Sequence, residues 1–403
     1  MKDKKNIIII LFFMTVSFTA LAGGFSDTIL SNYFKEVYNI NAVQRGIIEF
    51  PRELPGVISL LVISVLYFIG NYKMGMIAQL LSAFGILVLG IFTPSFSVML
   101  IFLFIYSLGS HMFMTLQDGI GISLFDSDNL GKRMGQYKGT STAFSTVAAI
   151  MIFIGFRSGF FTFSTKTKTV FVVAFVFYVL AFICLGYISV IKKDAPKKKE
   201  KVKFIFRKEY KYYYILSVLN GTQKQIMIVF GPWVLISLLS QGADTIALLT
   251  IISSFIGIFF VQALGRWIDT LGIRKIMYLD AFTFIGVYLS YGIITSLIVS
   301  GKIPTTIALI SAGTLFVCDR ISMQIGMVRS MYLNSIIVDK NEITQTLSTG
   351  ISLDHIVTIM FAPIAGLIWT NVGPQYIFFI ASALSLINMY VARVAPINTA
   401  TNN

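Results

Sequence analysis

The sequence predicts an all-α membrane protein with twelve transmembrane helices in two six-helix bundles. Three observations predict this fold. Hydrophobic residues make up 56% of the 403 residues and charged residues only 12%, whereas a soluble chain is about 25% charged. About twelve apolar segments are each long enough to cross a bilayer, which takes roughly 20 residues. Ten Lys and Arg between Lys192 and Lys211 separate the first six segments from the last six.

Hydropathy sets the bounds of the predicted spans to within a few residues. Most connections between them are short, as in a bundle of neighbouring helices. The predicted spans are 6–33, 43–69, 73–92, 96–120, 135–156, 169–191, 210–238, 245–265, 275–299, 304–334, 343–370 and 374–393.

The distribution of positive charge predicts which side each loop faces. About 23 of the 32 Lys and Arg fall at the termini and in alternate loops, and about five fall in the other loops, which is the positive-inside asymmetry. We therefore expect a multi-pass protein of a bacterial cytoplasmic membrane with both termini cytoplasmic. The predicted parts are an N-terminal bundle (1–191), a basic cytoplasmic linker (192–209) and a C-terminal bundle (210–403). The net charge of +14 reflects this asymmetry and predicts no nucleic-acid partner.

The two halves resemble each other weakly in sequence. Residues 123–129 are similar to residues 335–341, and each stretch follows the fourth helix of its half. Parallel repeats on either side of a basic central loop are typical of transporters.

A loop motif after the eighth segment points to a family. Residues 265–275 read G-R-W-I-D-T-L-G-I-R-K, which resembles the G-x-x-x-D-x-x-G-x-R-K loop signature of the major facilitator superfamily. Glycines permit a tight turn between helices, and basic residues hold a loop on the cytoplasmic side. The resemblance implies a cytoplasmic gate that latches the two halves, formed by Gly265, Asp269, Gly272, Arg274 and Lys275.

Two departures from family patterns bear on function. The corresponding first-half loop, 69–73, keeps a glycine and a base but has no Asp. The fifth segment lacks the Gly-Pro element of drug/proton antiporters, which makes multidrug efflux the second choice.

Charged residues inside the predicted spans are the candidate functional residues, because a charge at the bilayer centre costs at least about 2.5–3.5 kcal/mol. In the second segment Arg45, Glu49, Arg52 and Glu53 share one face with Gly56. These charges form either an outer gate or substrate contact, or a self-paired structural network. Pro51 and Pro55 are expected to bend this helix.

The first and seventh segments each carry one ionisable side chain among weak helix formers or amides. Asp27 follows Gly23 and Gly24 and is expected to bind a cationic group or a proton, or else to pair with Arg45 or Arg52. Lys224 lies between Gln223 and Gln225, about 21 Å along its helix. It is expected to bind an anionic group or an opposing carboxylate.

Two adjacent pairs fall near mid-depth, Asp319-Arg320 and Asp354-His355. Adjacent residues point about 100° apart on a helix, so each pair can face two neighbours. His111 and His355 are the only histidines, and histidine exchanges protons near neutrality. Proton coupling is therefore the first expectation. Amides such as Gln117 and Gln324 would also suit a sugar.

The sequence therefore predicts a proton-coupled secondary transporter of a small polar solute, charged or zwitterionic, surrounded by membrane lipid. The alternatives are multidrug efflux and a transport-inactive, transporter-like receptor. The sequence has no P-loop, metal-ligand cluster or activated nucleophile, so we expect neither an enzyme, nor a cofactor, nor a metal site. The sites expected to bind substrate or couple protons are Asp27, Glu49, Arg52, Glu53, His111, Gln117, Gln223, Lys224, Asp319, Arg320, Asp354 and His355.

Overall fold

The computed structural model describes residues 2–125, 130–192, 204–339 and 342–397. Most of the predicted basic linker lies outside these residues, as do residues 126–129 and 340–341 of the two similar stretches. The described residues are almost entirely helical. The chain divides into two compact units. Unit 1 is Met1–Asn39, Pro51–Val202 and Ala243–Leu248, and unit 2 is Ile40–Phe50, Lys203–Gly242 and Leu249–Asn403.

The helices before the basic linker follow the predicted order. They are α1 (Lys2–Asp27), α2 (Leu30–Tyr38), α3 (Ala42–Ile47), α4 (Glu49–Val65), α5 (Asn71–Ile91), α6 (Phe96–Leu124), α7 (Leu130–Arg157) and α8 (Thr169–Ile191).

The helices after the linker complete the fold. They are α9 (Lys211–Gln225), α10 (Gly231–Trp233), α11 (Ala243–Leu271), α12 (Ile273–Val299), α13 (Thr305–Ile325), α14 (Val328–Ile336), α15 (Ile343–Asn371) and α16 (Pro374–Val394). Within the described ranges, ten helical stretches are long and apolar enough to cross a membrane. Two further predicted spans bring the number to the predicted twelve. The second is divided into two shorter helices, and the seventh contains π-helical turns.

The second predicted span, 43–69, is wrong as a single helix. It is divided at Ile48 into α3 and α4 and ends in a 3₁₀ turn, Tyr67–Ile69. An Asn41–Gln44 capping box begins α3. Pro51 lies in the first turn of α4, where its missing N–H leaves no hydrogen bond unmade. The break lies three residues before this proline.

The seventh span is helical throughout but unevenly wound. Wider π-helical turns, Ile226–Phe230 and Val234–Leu238, lie on either side of α10. Pro232 in α10 has no N–H, and its ring excludes the carbonyl of the preceding turn. The wider turns accommodate this defect.

Small residues bring helices close together inside unit 1. A Cβ on Gly85 would lie 2.5 Å from the Tyr106 nitrogen, and one on Gly109 would lie 2.3 Å from the Ala78 carbonyl oxygen. Only glycine permits such an approach of α5 to α6. An apolar core that includes Phe12, Ile120 and Leu185 lies within this unit.

Unit 2 has the same kind of close crossing. A Cβ on Gly46 of α3 would lie 2.3 Å from the Ala362 carbonyl oxygen, and one on Gly366 of α15 would lie 2.5 Å from that of Ala42. The short α3 is therefore packed backbone to backbone on α15. A second apolar core, including Tyr210, Tyr332 and Leu333, lies in this unit.

Candidate functional site

A polar cavity of about 340 Å³ lies between α1, α6 and α7 of unit 1. Among the described residues that line it, Asp27 is the single charged one. The others that offer hydrogen bonds are Thr19, Thr28, Ser110, Gln117, Ser141 and Ser145. The cavity therefore combines one negative charge with neutral hydrogen-bonding groups, and it includes the predicted site residues Asp27 and Gln117.

Asp27 is positioned by a tyrosine of another helix. The Tyr106 hydroxyl of α6 donates a hydrogen bond of 2.9 Å to the Asp27 carboxylate. A Cβ on Gly23 would lie 3.9 Å from both Asp27 Oδ2 and the Tyr178 hydroxyl of α8. A Cβ on Gly24 would lie 2.6 Å from that of Ala148, so this glycine lets α1 touch α7 beside the cavity. The carboxylate is thus oriented by a neutral donor while its side chain stays exposed.

The predicted residues Arg52, Glu53 and His111 lie together in unit 1. Arg52 and Glu53 form an ion pair at 3.4 Å, and the Glu53 and His111 ligand atoms lie within 4.8 Å of each other. The Ser107 hydroxyl donates to the Arg52 carbonyl at 2.5 Å. His111 Nδ1 lies 3.1 Å from Ser107 Oγ and 3.0 Å from Ser107 O. Because the Ser107 hydroxyl uses its hydrogen for the bond to the Arg52 carbonyl, His111 Nδ1 is the donor in these two contacts.

The members of the predicted face from Arg45 to Gly56 fall in both units, because the boundary between the units lies between Phe50 and Pro51. Arg45 and Glu49 form an ion pair of 2.5 Å in unit 2, with side chains 1% and 0% exposed. Gln225 of α9 donates to the second Glu49 oxygen at 2.7 Å. This pair is fully buried, and Glu49 also accepts a hydrogen bond from an amide, whereas Arg45 Nε has no hydrogen-bond partner among the described residues.

Lys224 and Asp354 form the second charged pair of unit 2. The Lys224 ammonium lies 3.7 Å from Asp354 Oδ2, and the side chains are 33% and 12% exposed. Asn220 Nδ2 donates to Asp354 Oδ1 at 2.8 Å. The crossing of α9 and α15 makes this possible, because a Cβ on Gly221 would lie 2.4 Å from the Asp354 carbonyl oxygen. Each oxygen of Asp354 therefore faces a donor on α9.

Gln223 and His355, the predicted neighbours of that pair, are both buried. Gln223 donates to the Ser385 hydroxyl at 3.0 Å and accepts from Asn388 at 2.9 Å. Its amide therefore joins α9 to α16. His355 follows Asp354 on α15 and is 6% exposed.

Asp319 and Arg320 of α13 occupy very different surroundings. Asp319 is 2% exposed, and its Oδ1 has no hydrogen-bond partner among the described residues. Tyr288 and Tyr291 of α12 are within electrostatic range of it. Arg320 instead lies over the Phe316 ring, with its guanidinium carbon 5.0 Å from the centroid. Asp319 is thus a buried acid in an aromatic environment.

The loop motif forms the turn between α11 and α12. Gly272 has φ +82°, a conformation that suits glycine. The Arg274 guanidinium donates to the carbonyls of Ala392, Arg393 and Ala395 at 2.6–2.9 Å, which caps the C-terminal end of α16. Lys275 is exposed, as is Asp269. Within the described ranges Asp269 has no hydrogen bond or ion pair.

Sequence reasoning missed several residues of these clusters. Tyr106 and Tyr178 lie in apolar runs where nothing marks them as different from packing residues. The buried Asp280, 3.9 Å from Arg329, was also missed. A carboxylate inside the ninth predicted span was the available signal for it.

Known proteins resemble this chain in sequence profile and in fold. The profile of the Major Facilitator Superfamily matches residues 7–351. A comparison with curated protein sequences gave no match.

Among solved structures, the chain is similar to a POT family transporter in complex with 5-aminolevulinic acid, with a TM-score of 0.76, 10% identity and 96% of each chain covered. It is also similar to a D-xylose-proton symporter (TM-score 0.73, 14% identity, 98% of each chain covered). The nucleoside transporter NupG has a TM-score of 0.69 and 14% identity, with 97% of this chain and 98% of that chain covered. At these identities the likeness shows the fold.

Proposed function

The chain belongs to the Major Facilitator Superfamily, and from this premise we propose that it is a secondary active transporter of a small polar solute. The solute is charged or zwitterionic, and its movement is coupled to protons. The observation that carries the proposal is the cavity of unit 1, in which the Asp27 carboxylate is the single charge among neutral hydrogen-bonding groups.

The cavity supports a solute with a cationic or hydrogen-bond-donating group. A volume of about 340 Å³ lies within the range of small-molecule sites, about 300–1,000 Å³. Asp27 attracts an ammonium group, and the serine, threonine and Gln117 side chains bind its polar substituents. Since Tyr106 already orients the carboxylate, little ordering remains to be done on binding.

Unit 2, taken by itself, offers a positive charge to a solute that carries an acidic group. Lys224 is one-third exposed, and its ammonium lies 3.7 Å from Asp354 Oδ2. An anion that approaches more closely can therefore compete with Asp354 for this ammonium. A carboxylate that binds Lys224 leaves Asp354 with its hydrogen bond from Asn220. Considered one at a time, the two units thus favour opposite charges, which is why we propose a zwitterion before a neutral sugar.

Asp319 is our first candidate for the proton-coupling residue. Asp319 is buried, its Oδ1 has no hydrogen-bond partner among the described residues, and ionisable residues inside membrane spans often serve in proton relays. Glu53 with His111, and Asp354 with His355, are the second candidates, because imidazole and carboxylate groups exchange protons readily.

Transport then proceeds by alternating access between the two halves of the sequence, 1–191 and 210–403, joined by the linker 192–209. We propose that the membrane is a bacterial cytoplasmic membrane with both termini inside, which the charge distribution supports. The Gly265–Lys275 loop lies at the cytoplasmic face in this topology. Exposed apolar side chains such as Phe255 (63%) and Phe259 (60%) suit contact with lipid.

Flux into liposomes tests the proposal. A thermal-shift panel of amino acids, small peptides, nucleosides and sugars on the purified protein selects the solute, and its uptake is then measured with and without an imposed pH gradient. We expect saturable uptake of a zwitterionic solute that the gradient stimulates and a protonophore abolishes. A well-folded preparation with no flux of any stabilising solute would contradict a carrier and favour a receptor.

Two substitutions test whether the predicted site residues take part in transport. Lys224→Ala and Arg320→Ala are each expected to abolish uptake while expression stays intact. Lys302→Ala, at an exposed lysine of the loop before α13, is the matched control and is expected to transport normally. Wild-type uptake in both test variants would remove these residues from the site.

A further inference from the structure

A second pocket of unit 1, of about 350 Å³, lies at the ends of three helices. We define it as the lysine pocket. It is lined by the start of α1, the end of α6 and the end of α8, through Lys4, Lys5, Ile8, Ile9, Ser123, Leu124, Phe125 and Lys192. None of these residues belongs to the proposed transport site.

The lysine pocket is positively charged. Three of its eight lining residues are lysines, and none of the eight is acidic. Lys4 and Lys5 stand in the first turns of α1, where the helix dipole adds partial positive charge. Lys192 is the C-cap residue of α8, so residues almost two hundred positions apart bring their charges together.

Lys192 is fixed in place by the neighbouring helix. Its ammonium donates to the Ser123 carbonyl at the end of α6, at 3.1 Å. An ammonium has three N–H donors, so this bond orients the group and leaves it able to bind a further acceptor. The lysine is thereby positioned before any ligand arrives.

Three other lining residues of the pocket are apolar and buried. Ile8, Leu124 and Phe125 are 7%, 6% and 8% exposed, and all three belong to the apolar core of unit 1. A ligand that fits this pocket therefore has an anionic head beside an apolar body. A phosphate ester attached to acyl chains has this chemistry, and basic pockets between transmembrane helices bind such head groups.

We propose that the lysine pocket binds the phosphate of an anionic phospholipid. The pocket lies where helices end, which is the depth at which lipid phosphates lie. In the topology proposed above it faces the cytoplasm. The binding site is independent of the transported solute, so its failure leaves the proposed transport untouched.

Binding to purified protein in detergent tests this site, with three short-chain probes compared by native mass spectrometry. The probes are dioctanoyl phosphatidylglycerol, dioctanoyl phosphatidylcholine and inorganic phosphate. One lysine near anionic lipid favours binding about fivefold, so Lys4→Gln, Lys5→Gln and Lys192→Gln combined should weaken phosphatidylglycerol binding on the order of 100-fold. We expect phosphatidylglycerol to bind at least about tenfold more tightly than phosphatidylcholine.

The matched control removes three exposed lysines outside the pocket, by Lys132→Gln, Lys208→Gln and Lys211→Gln. It changes net charge equally, and phosphatidylglycerol binding should stay within about threefold of the unmodified protein. An equal loss in both triple variants would overturn the site in favour of general charge attraction. If inorganic phosphate bound as tightly as phosphatidylglycerol, the pocket would be a site for free phosphate and the lipid proposal would be overturned. The single variant Lys192→Gln, checked for a monodisperse elution profile, repeats the test if the triple variant misfolds.

Discussion

The Asp27 cavity of unit 1 and the buried charged pairs of unit 2 place their charges in different surroundings. In unit 1 the exposed Asp27 carboxylate of the cavity accepts from a neutral donor, the Tyr106 hydroxyl. In unit 2 the charges compensate one another, as Arg45 does with Glu49 and Lys224 with Asp354. Loss of one member of a buried pair leaves an uncompensated charge, whereas loss of a single exposed charge does not. Removal of a charge should therefore cost stability at the buried pairs of unit 2 and mainly function at the exposed Asp27 of unit 1.

The largest effect on stability is expected for Glu49→Ala. It leaves the guanidinium of Arg45, which is 1% exposed, without its paired carboxylate, and breaking a buried pair costs about 3–5 kcal/mol. The free energy of unfolding, measured by SDS titration in mixed micelles, should fall by that amount.

The control for this prediction is a pair at the protein surface. Arg207 and Glu342 lie 2.6 Å apart, with Arg207 43% exposed, and the carboxylate raises the pKa of Arg207 through hydrogen bonding and charge attraction. Glu342→Ala should cost less stability than Glu49→Ala, because solvent screens this bidentate pair. Equal losses in both variants would show that burial does not distinguish the pairs.

The second effect compares two glycines. Gly221→Ala places a Cβ 2.4 Å from the Asp354 carbonyl oxygen, whereas on Gly23 the nearest atoms are 3.9 Å away. Gly221→Ala should cost about 1–3 kcal/mol by forcing α9 away from α15. Gly23→Ala should cost nothing, and alanine favours a helix over glycine by up to about 1 kcal/mol. The same titration measures both, and a destabilised Gly23→Ala would contradict the open space beside α1.

Much of the fold could be predicted from the sequence because hydropathy and positive charge act locally. Spans such as 169–191 and 374–393 agree with α8 and α16 to within a residue or two. The break at Ile48 could not be placed, because Pro51 is compatible both with a kinked helix and with the first turn of a new one. The π-helical turns around Pro232 could not be placed either. They depend on which backbone carbonyls still accept a hydrogen bond once the proline has removed one N–H donor.

The sequence could identify charged residues inside the predicted spans, but it could not identify which residues contact them. Charge inside an apolar span marked Asp27, Lys224 and Asp354. Their partners could not be deduced, since Tyr106 lies 79 positions from Asp27 and Asn220 lies 134 positions from Asp354. The weak periodicity of a membrane helix does not say which helices are adjacent. The contacts depend on glycines such as Gly24 and Gly221, whose need for close approach appears only in three dimensions.

A smaller effect is expected for Tyr106→Phe. The variant removes the donor to Asp27 and the hydroxyl that also interacts with Tyr178, and a hydrogen bond contributes about 1 kcal/mol. Stability should fall by that much at most, since water in the cavity can replace the hydroxyl. Uptake should persist with an apparent substrate affinity about fivefold lower, because Asp27 keeps its charge and loses its orientation. Unchanged affinity would show that this hydrogen bond does not position the carboxylate.

The smallest effect on stability is expected for Asp27→Asn. The amide has the same shape, its oxygen still accepts from Tyr106, and the side chain is exposed, so the change should stay within about 0.5 kcal/mol. Uptake of a cationic or zwitterionic solute should nevertheless fall roughly 10- to 100-fold, since a hydrogen bond to a charged group contributes about 1.5–3 kcal/mol.

The control is Asp244→Asn, because this aspartate also lies in unit 1 but pairs with the exposed Arg157 at 3.7 Å. It should retain uptake. If Asp27→Asn transports normally, the carboxylate contributes nothing to solute binding and the cavity loses its claim to be the site. If Asp27→Asn instead unfolds as readily as Glu49→Ala, Asp27 is a structural charge like those of unit 2. The contrast between the two units then disappears, because both would use their charges to hold helices together.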